Sequence, residues 1–448
     1  MEISDYEKCI IKDGQNWPVR VDVDAAANLI IRDLHAKTII ETDEVLHYYD
    51  GRYEEYGEKL IDSILVGAFS GIKTTDQREI YNATSTRKEI LARVKAKTYT
   101  HLSKFDTDPN IINMANGLYD IRTAEFKAHD PNYLSRIQIP INYDPDAKCP
   151  VIDERFSIMI KAEDLPKIYE FIGYTLYRAY EIQKSFFLLG PGGTGKSYFL
   201  DVILAMVGPK NAASVSLQDL QTDRFASSDL HDKLVNLCGD LPSTTLKDTD
   251  IFKRLTSNKD IMRAQKKGKP AFDFINYAKL IFSMNKLPRS YDETSGWYRR
   301  IEIISFEHVF TAEEYDQDKL DRMTSPEELS GLFNEVMPYL KGLIERHKFT
   351  GETDRAVTAV RYRAALDPVK EFVNKYVEEV PKEWVTKADL YHAYKEFCKE
   401  IHADPLNINE FGSELKEYAT WLKVANPRDS RKVNGKSEAI WPNTKCTR

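Results

Sequence analysis

Cysteine is scarce and scattered. The five residues (Cys9, Cys149, Cys238, Cys398 and Cys446) lie far apart and form no CxxC pair. This excludes a disulfide framework and a zinc knuckle and suits a reducing cytoplasm. The nine histidines include no HExxH, which removes a zincin. No run approaches the roughly 18 consecutive apolar residues of a membrane span, and the acidic opening Met1–Glu7 speaks against a signal peptide. Excess positive charge is missing too: 63 Lys and Arg face 70 Asp and Glu, for a net charge of −7. A globally basic nucleic-acid coat is therefore excluded, but a local basic patch is not. There is no internal repeat and no low-complexity tract. What remains is an ordinary globular composition, 42% hydrophobic and 30% charged, in 448 residues. At roughly 150 residues per domain this is room for about three domains.

Residues 1–110 mix short apolar runs with helical periodicity, as in Ala26–Leu34 and Lys59–Leu65. Residues 111–150 read as short strands and turns, with turn signals at Asn116-Gly117 and Asp144-Pro145-Asp146. One helical segment is predicted over 152–179, followed by the apolar strand Ser185–Leu189. To about residue 345 apolar runs alternate with helical stretches, the pattern of an α/β domain. A helix-rich linker over 350–366 leads to a small unit, 368–448. That unit is predicted to hold helices at 368–379, 387–401 and 409–418, and a hairpin turning at Asn434-Gly435.

The sharpest motif is Gly190-Pro-Gly192-Gly193-Thr194-Gly195-Lys196-Ser197, which matches GxxxxGK[ST] without a gap between an apolar strand and a helix. Its glycines let backbone N–H groups wrap a phosphate at a helix N-terminus. Lys196 is placed to reach the β- and γ-phosphates of ATP, and Ser197 to hold Mg²⁺. Such a loop needs a carboxylate at a neighbouring strand end. Asp240, closing the run Leu234–Gly239, is the candidate; Leu241 follows it, so no acidic pair is present. The run Ala278–Met284 ends in Asn285, which either orients an attacking water or makes a turn before Pro288. Arg299 and Arg300 follow, and an arginine offered by a neighbouring subunit can stabilise charge on the γ-phosphate. Arg300 is the favoured candidate, against a reading as a surface pair.

In this acidic chain residues 252–270 carry seven basic side chains against Asp260 alone. Lys266-Lys267-Gly268-Lys269-Pro270 has the look of a hairpin tip, with Phe272 and Phe274 beyond it. A cationic hairpin can grip a sugar-phosphate backbone in a sequence-tolerant way; the plainer alternative is a solvated basic loop. The tail from Arg428 onward holds six basic residues against Asp429 and Glu438, suited either to a duplex or to a protein contact.

With these residues in hand the chain resembles a superfamily 3 helicase, in particular the helicase portion of phage and plasmid primase–helicases related to the poxvirus primase–helicase. The four ATPase elements fall in family order between Gly190 and Arg300. The stretches Asn113–Thr123 and Gln138–Pro150 are similar to the domain preceding the ATPase in those proteins, and the C-terminal unit is more loosely similar to their winged-helix domain. The resemblance implies an AAA+ type P-loop core within an α/β fold. It implies an α+β, collar-like domain over 1–150, an AAA+ helicase domain over 151–350 and a linker with a winged-helix domain over 351–448. It further implies a homo-oligomer, a hexameric ring, that hydrolyses ATP with Mg²⁺ between subunits and moves along single-stranded DNA in the host cytoplasm, in replication of a mobile element. By position Gly190–Ser197 bind nucleotide, Asp240 is the acidic residue, Asn285 the sensor and Arg300 the finger. Lys266, Lys267 and Lys269 are the DNA contacts. The absence of an acidic pair at Asp240 departs from many relatives, and about 110 upstream residues are few for a primase. This implies a separate primase, a stand-alone helicase or a fragment. The rival readings are an ATP-switched, origin-binding initiator with little turnover and an AAA+ machine that remodels protein.

Overall fold

The computed structural model describes residues 3–448 apart from 81–84, 242–245, 247, 269, 289, 293, 315, 402–404, 425–428 and 434–435. At its centre is a five-stranded parallel sheet. Its strands are β1 (Ser185–Leu189), β2 (Ala212–Ala213), β3 (Val235–Cys238), β6 (Lys279–Met284) and β7 (Ile301–Ser305), with β4 (Ile261–Gln265) and β5 (Ala271–Ile275) forming a separate antiparallel hairpin between β3 and β6. The order across the sheet is β2-β3-β6-β1-β7, all parallel.

Both faces of the sheet are covered, which is why its strands read as unbroken apolar runs rather than alternating ones. Phe186, Leu188 and Ile281 pack on one side with Phe171 of α1 (Leu165–Thr175), Phe199 and Ile203 of α2 (Lys196–Val207) and Leu332 of α3 (Pro326–Arg346). Phe187, Phe282 and Ile303 face the other layer, where Phe252, Met262, Phe274 and Trp297 are buried.

The first apolar layer extends upstream of residue 150. Ile112, Met114 and Tyr119, from a three-stranded meander over 111–127, share it with Ile137, Ile139 and Ile141. A separate core, with Ile30, Ile61 and Val94, holds the helices Val23–Leu34, Gly57–Phe69 and Ser85–Thr98.

The predicted helix over 152–179 is two helices, Pro150–Met159 and α1. Pro166 in the first turn of α1 has no N–H to continue the earlier helix and is suited to start a new one. The C-terminal unit runs α4 (Pro368–Tyr376), β8 (Val377–Thr386), α5 (Lys387–Ile401), α6 (Ile408–Tyr418), β9 (Ser430–Val433) and β10 (Lys436–Cys446), with sheet order β8-β10-β9. The predicted 368–379 helix therefore stops at Tyr376, and a whole strand takes its place. Long-range pairing of Val377 with Cys446 and of Val385 with Trp441 overrides the local charge pattern. The Asn434-Gly435 turn lies outside the described residues; the strands on either side of it pair as predicted. Among the described residues no helix is long and apolar enough to cross a membrane.

Candidate functional site

β1, β6 and β3 are neighbours and run parallel, so the residues after them share one edge of the sheet. At that edge the chain turns sharply. A side chain on Gly190 would collide with the Phe306 carbonyl, and one on Gly195 with the Met159 sulfur. Gly193 (φ 79°) and Gly195 (φ 85°) occupy the left-handed region, which glycine enters at no steric cost. Thr194 Oγ1 donates to the Pro191 carbonyl at 3.0 Å, and the Phe310 N–H closes onto the Gly193 carbonyl at 2.9 Å. Helix α2 then begins at Lys196, with Ser197 exposed in its first turn.

The structure brings Lys196, Asn285 and Asp240 together. The buried Lys196 ammonium donates to the carbonyls of Gly190 (2.7 Å) and Pro191 (2.8 Å) and to Asn285 Oδ1 (3.2 Å). Burial pulls the Lys196 pKa down, and the charge of Asp240 partly opposes the shift. Asp240 is exposed with φ 48°, and the following Leu241 N–H is tied to the Ser283 carbonyl of β6. The donor set fits a metal-bound triphosphate. Positive-φ glycines free the N–H groups of the turn, a lysine stands at its centre, and a hydroxyl and a carboxylate lie exposed beside it. Ser197 and Asp240 are the residues that would hold Mg²⁺.

Arg300 is not at this edge. It precedes β7, whose Ile301 pairs with Ser185, whereas the glycine-rich turn follows Leu189, opposite Ser305. Arg300 is thus level with Lys184, six residues before Gly190, and at about 3.3 Å per residue the separation along the sheet is roughly 20 Å. Arg300 is 7% exposed and donates to the Gly296 carbonyl at 2.8 Å, and its Nε has no hydrogen-bond partner among the described residues. Burial, then the adjacent Arg299, lowers its pKa. Arg299 is the exposed member of the pair.

The basic segment does form a hairpin. Ile261 to Gln265 pair with Ile275 to Ala271, leaving Lys266 and Lys267 exposed at the tip beside Gly268 (φ 77°). Lys269 lies outside the described residues. Met262, Ala264 and Phe274 anchor the inner face of the hairpin in the core. His231 and Lys233, which the sequence did not single out, are near this tip. The His231 ring meets Phe272 edge-on at 4.7 Å and Phe274 at 5.4 Å. Burial first, then nearby charges including Lys266, lower the pKa of both His231 and Lys233. Only the alternating Phe272 and Phe274 hinted at such a platform; the approach of the 231–233 segment is a product of folding.

Comparison with known proteins gives three family matches. Residues 28–158 match a family described as "D5 N terminal like", residues 188–300 a family of unknown function (DUF5906), and residues 365–440 a family described as "Poxvirus D5 protein-like". The chain is 25% identical over 240 residues to the protein of Invertebrate iridescent virus 3 named "Putative helicase 121R", covering 47% of this chain. The matched part is 24% of that relative's length. Among solved structures, the apo C-terminal region of NrS-1 (305–718) aligns with 94% of this chain and 99% of its own, at 11% identity and a TM-score of 0.48. A second form of that region aligns with 93% and 98%, at 12% identity and a TM-score of 0.46.

Proposed function

Because the chain belongs with the phage and viral primase–helicases, we propose that it is a superfamily 3, ATP-dependent DNA helicase, assembling as a hexameric ring that moves along single-stranded DNA. The observation that carries this reading is the meeting of Lys196, Asn285 and Asp240 at the ends of three adjacent parallel strands. The parallel sheet with this edge supports an AAA+ type core. The order α4-β8-α5-α6-β9-β10 supports a winged-helix unit at the C-terminus.

ATP enters with its phosphates on the N-terminus of α2. Lys196 exchanges the Gly190 and Pro191 carbonyls for the β- and γ-phosphate oxygens. Ser197 and Asp240 would hold Mg²⁺, whose charge would offset that of the phosphates. Asn285 orients the attacking water. The exposed Lys266 and Lys267 grip the strand in the ring's hole, and ATP-driven ordering of the hairpin moves it.

A finger must reach a neighbour's phosphate, and Arg300 is buried within its own subunit. The role therefore passes to the exposed Arg299. Arg299→Ala and Lys196→Ala proteins are each expected to be inactive, and their mixture to regain ATP turnover at pockets built from one intact half of each. A mixture no more active than its components would remove the shared pocket. Lys267→Ala is expected to abolish both stimulation of ATP turnover by single-stranded DNA and duplex unwinding. Stimulation retained by this variant would refute the hairpin's role, and no stimulation of the parent chain by DNA would refute the helicase reading itself.

A further inference from the structure

The C-terminal unit has surfaces of opposite sign. Helix α6 buries Phe411 and Leu415 and turns Glu410, Ser413, Glu414 and Glu417 to solvent. The Glu414 carboxyl is held above its usual range by partial burial and then by the charges of Asp367 and Glu410. Negative charge is thus already crowded on this face. In the usual docking of a helix-turn-helix or winged unit, the exposed face of such a helix enters a groove. Here it would set three carboxylates against a duplex that carries one negative charge per about 1.7 Å.

The β9–β10 hairpin is different. Arg431 and Lys432 on β9 and Lys436 at the start of β10 are all exposed, with Lys432 opposite Ser437 and Lys436 opposite Val433. Arg431 stands directly opposite Glu438, so the charges of Lys432 and Lys436 are the less offset of the three. The Arg431 guanidinium lies 5.7 Å from the centre of the half-buried Trp384 ring on β8. Stacking of this kind limits the arginine's side-chain freedom and so lowers the entropic cost of a phosphate contact.

We propose that the C-terminal unit docks on the sugar-phosphate backbone of duplex nucleic acid through Arg431, Lys432 and Lys436 of the β9–β10 hairpin, with α6 facing away from the duplex. The proposal rests on the winged-helix reading above. Contacts to the backbone carry no base information, so this docking is sequence-tolerant.

The test uses the full chain with Lys266→Ala and Lys267→Ala, so that the other basic hairpin adds nothing, and a labelled, blunt-ended DNA duplex as the probe. In that background Arg431→Glu with Lys432→Glu is expected to weaken binding at least about tenfold and to reduce the slope of log affinity against log salt by about two. Glu410→Lys with Glu414→Lys is expected to bind as well or more tightly. Thermal midpoints report folding; if the charge reversal unfolds the unit, Arg431→Gln with Lys432→Gln gives the smaller loss expected of two removed contacts. Unchanged affinity and slope in the hairpin variants, a loss confined to the α6 variant, or no duplex binding by the parent would each overturn the proposal. Restoring Lys266 and Lys267 separates this outcome from the fate of the helicase reading. With those residues present, stimulation by single-stranded DNA is expected to survive Arg431→Glu with Lys432→Glu.

Discussion

Lys196→Ala is expected to lower ATP turnover by about 100- to 1,000-fold, the usual cost of removing one preorganised charge-stabilising donor, while changing the stability of the fold little. The second half follows from where the ammonium sits. It is buried, and burial holds its pKa below the ordinary lysine value. A lysine whose folded pKa is depressed destabilises the folded state while it is protonated. That cost is fully present below the folded pKa and disappears as pH rises through the unfolded value of about 10.4. At neutral pH alanine therefore removes a penalty together with the bonds to Gly190 and Pro191, and the two losses offset one another. Phosphate release and the thermal midpoint, measured on the same preparation, check both halves. Undiminished turnover would show that phosphate never meets Lys196. A midpoint lower by several degrees would show that the lysine chiefly holds the loop together.

Glu302→Ala is expected to cost about 1.5–3 kcal/mol of stability, the usual worth of hydrogen bonds to a charged group, because Lys167 keeps Asp164 at 3.2 Å and Lys184 keeps Glu352 at 3.3 Å once Glu302 is gone. The Glu302 side chain on β7 is fully buried. It accepts from Lys167 Nζ at 2.8 Å, Lys184 Nζ at 3.4 Å and Thr353 Oγ1 at 3.0 Å. Burial works against the Lys167 charge, yet Glu302 and then Asp164 outweigh it, so the Lys167 pKa stands above its ordinary value. The stabilisation is present below the unfolded lysine pKa and fades as pH rises through the higher folded one. The deficit of the alanine variant should accordingly shrink in strong alkali. Urea unfolding at neutral and alkaline pH measures both effects. Glu302→Gln, which keeps an acceptor for Thr353, should fall between the parent and alanine. A cost under about 1 kcal/mol, the range of an exposed pair, would mean that water reaches this cluster.

These two sites also show what could be read from the sequence. The glycine-rich turn at 190–195 was legible because its demands are local: a strand, a turn that only glycine can make, and a helix. The strands ending at Asp240 and Asn285 were legible because sheets covered on both faces leave long apolar runs. Glu302 was invisible, since one acid in Ile301–Ser305 gives no sign that two lysines from distant segments will meet it. Lys279 was equally hidden. Its ammonium donates to the carbonyls of Tyr177, Ala179 and Tyr277 and lies 4.3 Å from the centre of the Tyr174 ring, fully buried. The first three residues of β8, 377–379, read as the end of a helix because Glu378 and Glu379 favour one, and only the pairing of β8 with β10 makes them strand. The choice between Arg299 and Arg300 depends on which side chain the turn after Trp297 buries, and spacing alone does not encode this.

The position of the basic hairpin in the chain has a mechanical consequence. It is inserted between β3 and β6: β4 begins 21 residues after Asp240, beyond the helix Asp250–Leu255, and β5 leads into the start of β6, whose other end precedes Asn285. In the proposed helicase, a shift at Asp240 or Asn285 reaches Lys266 and Lys267 along the chain through that helix and through β6. Met262, Ala264 and Phe274 tie the hairpin to the core as well, so any such movement also shifts that packing.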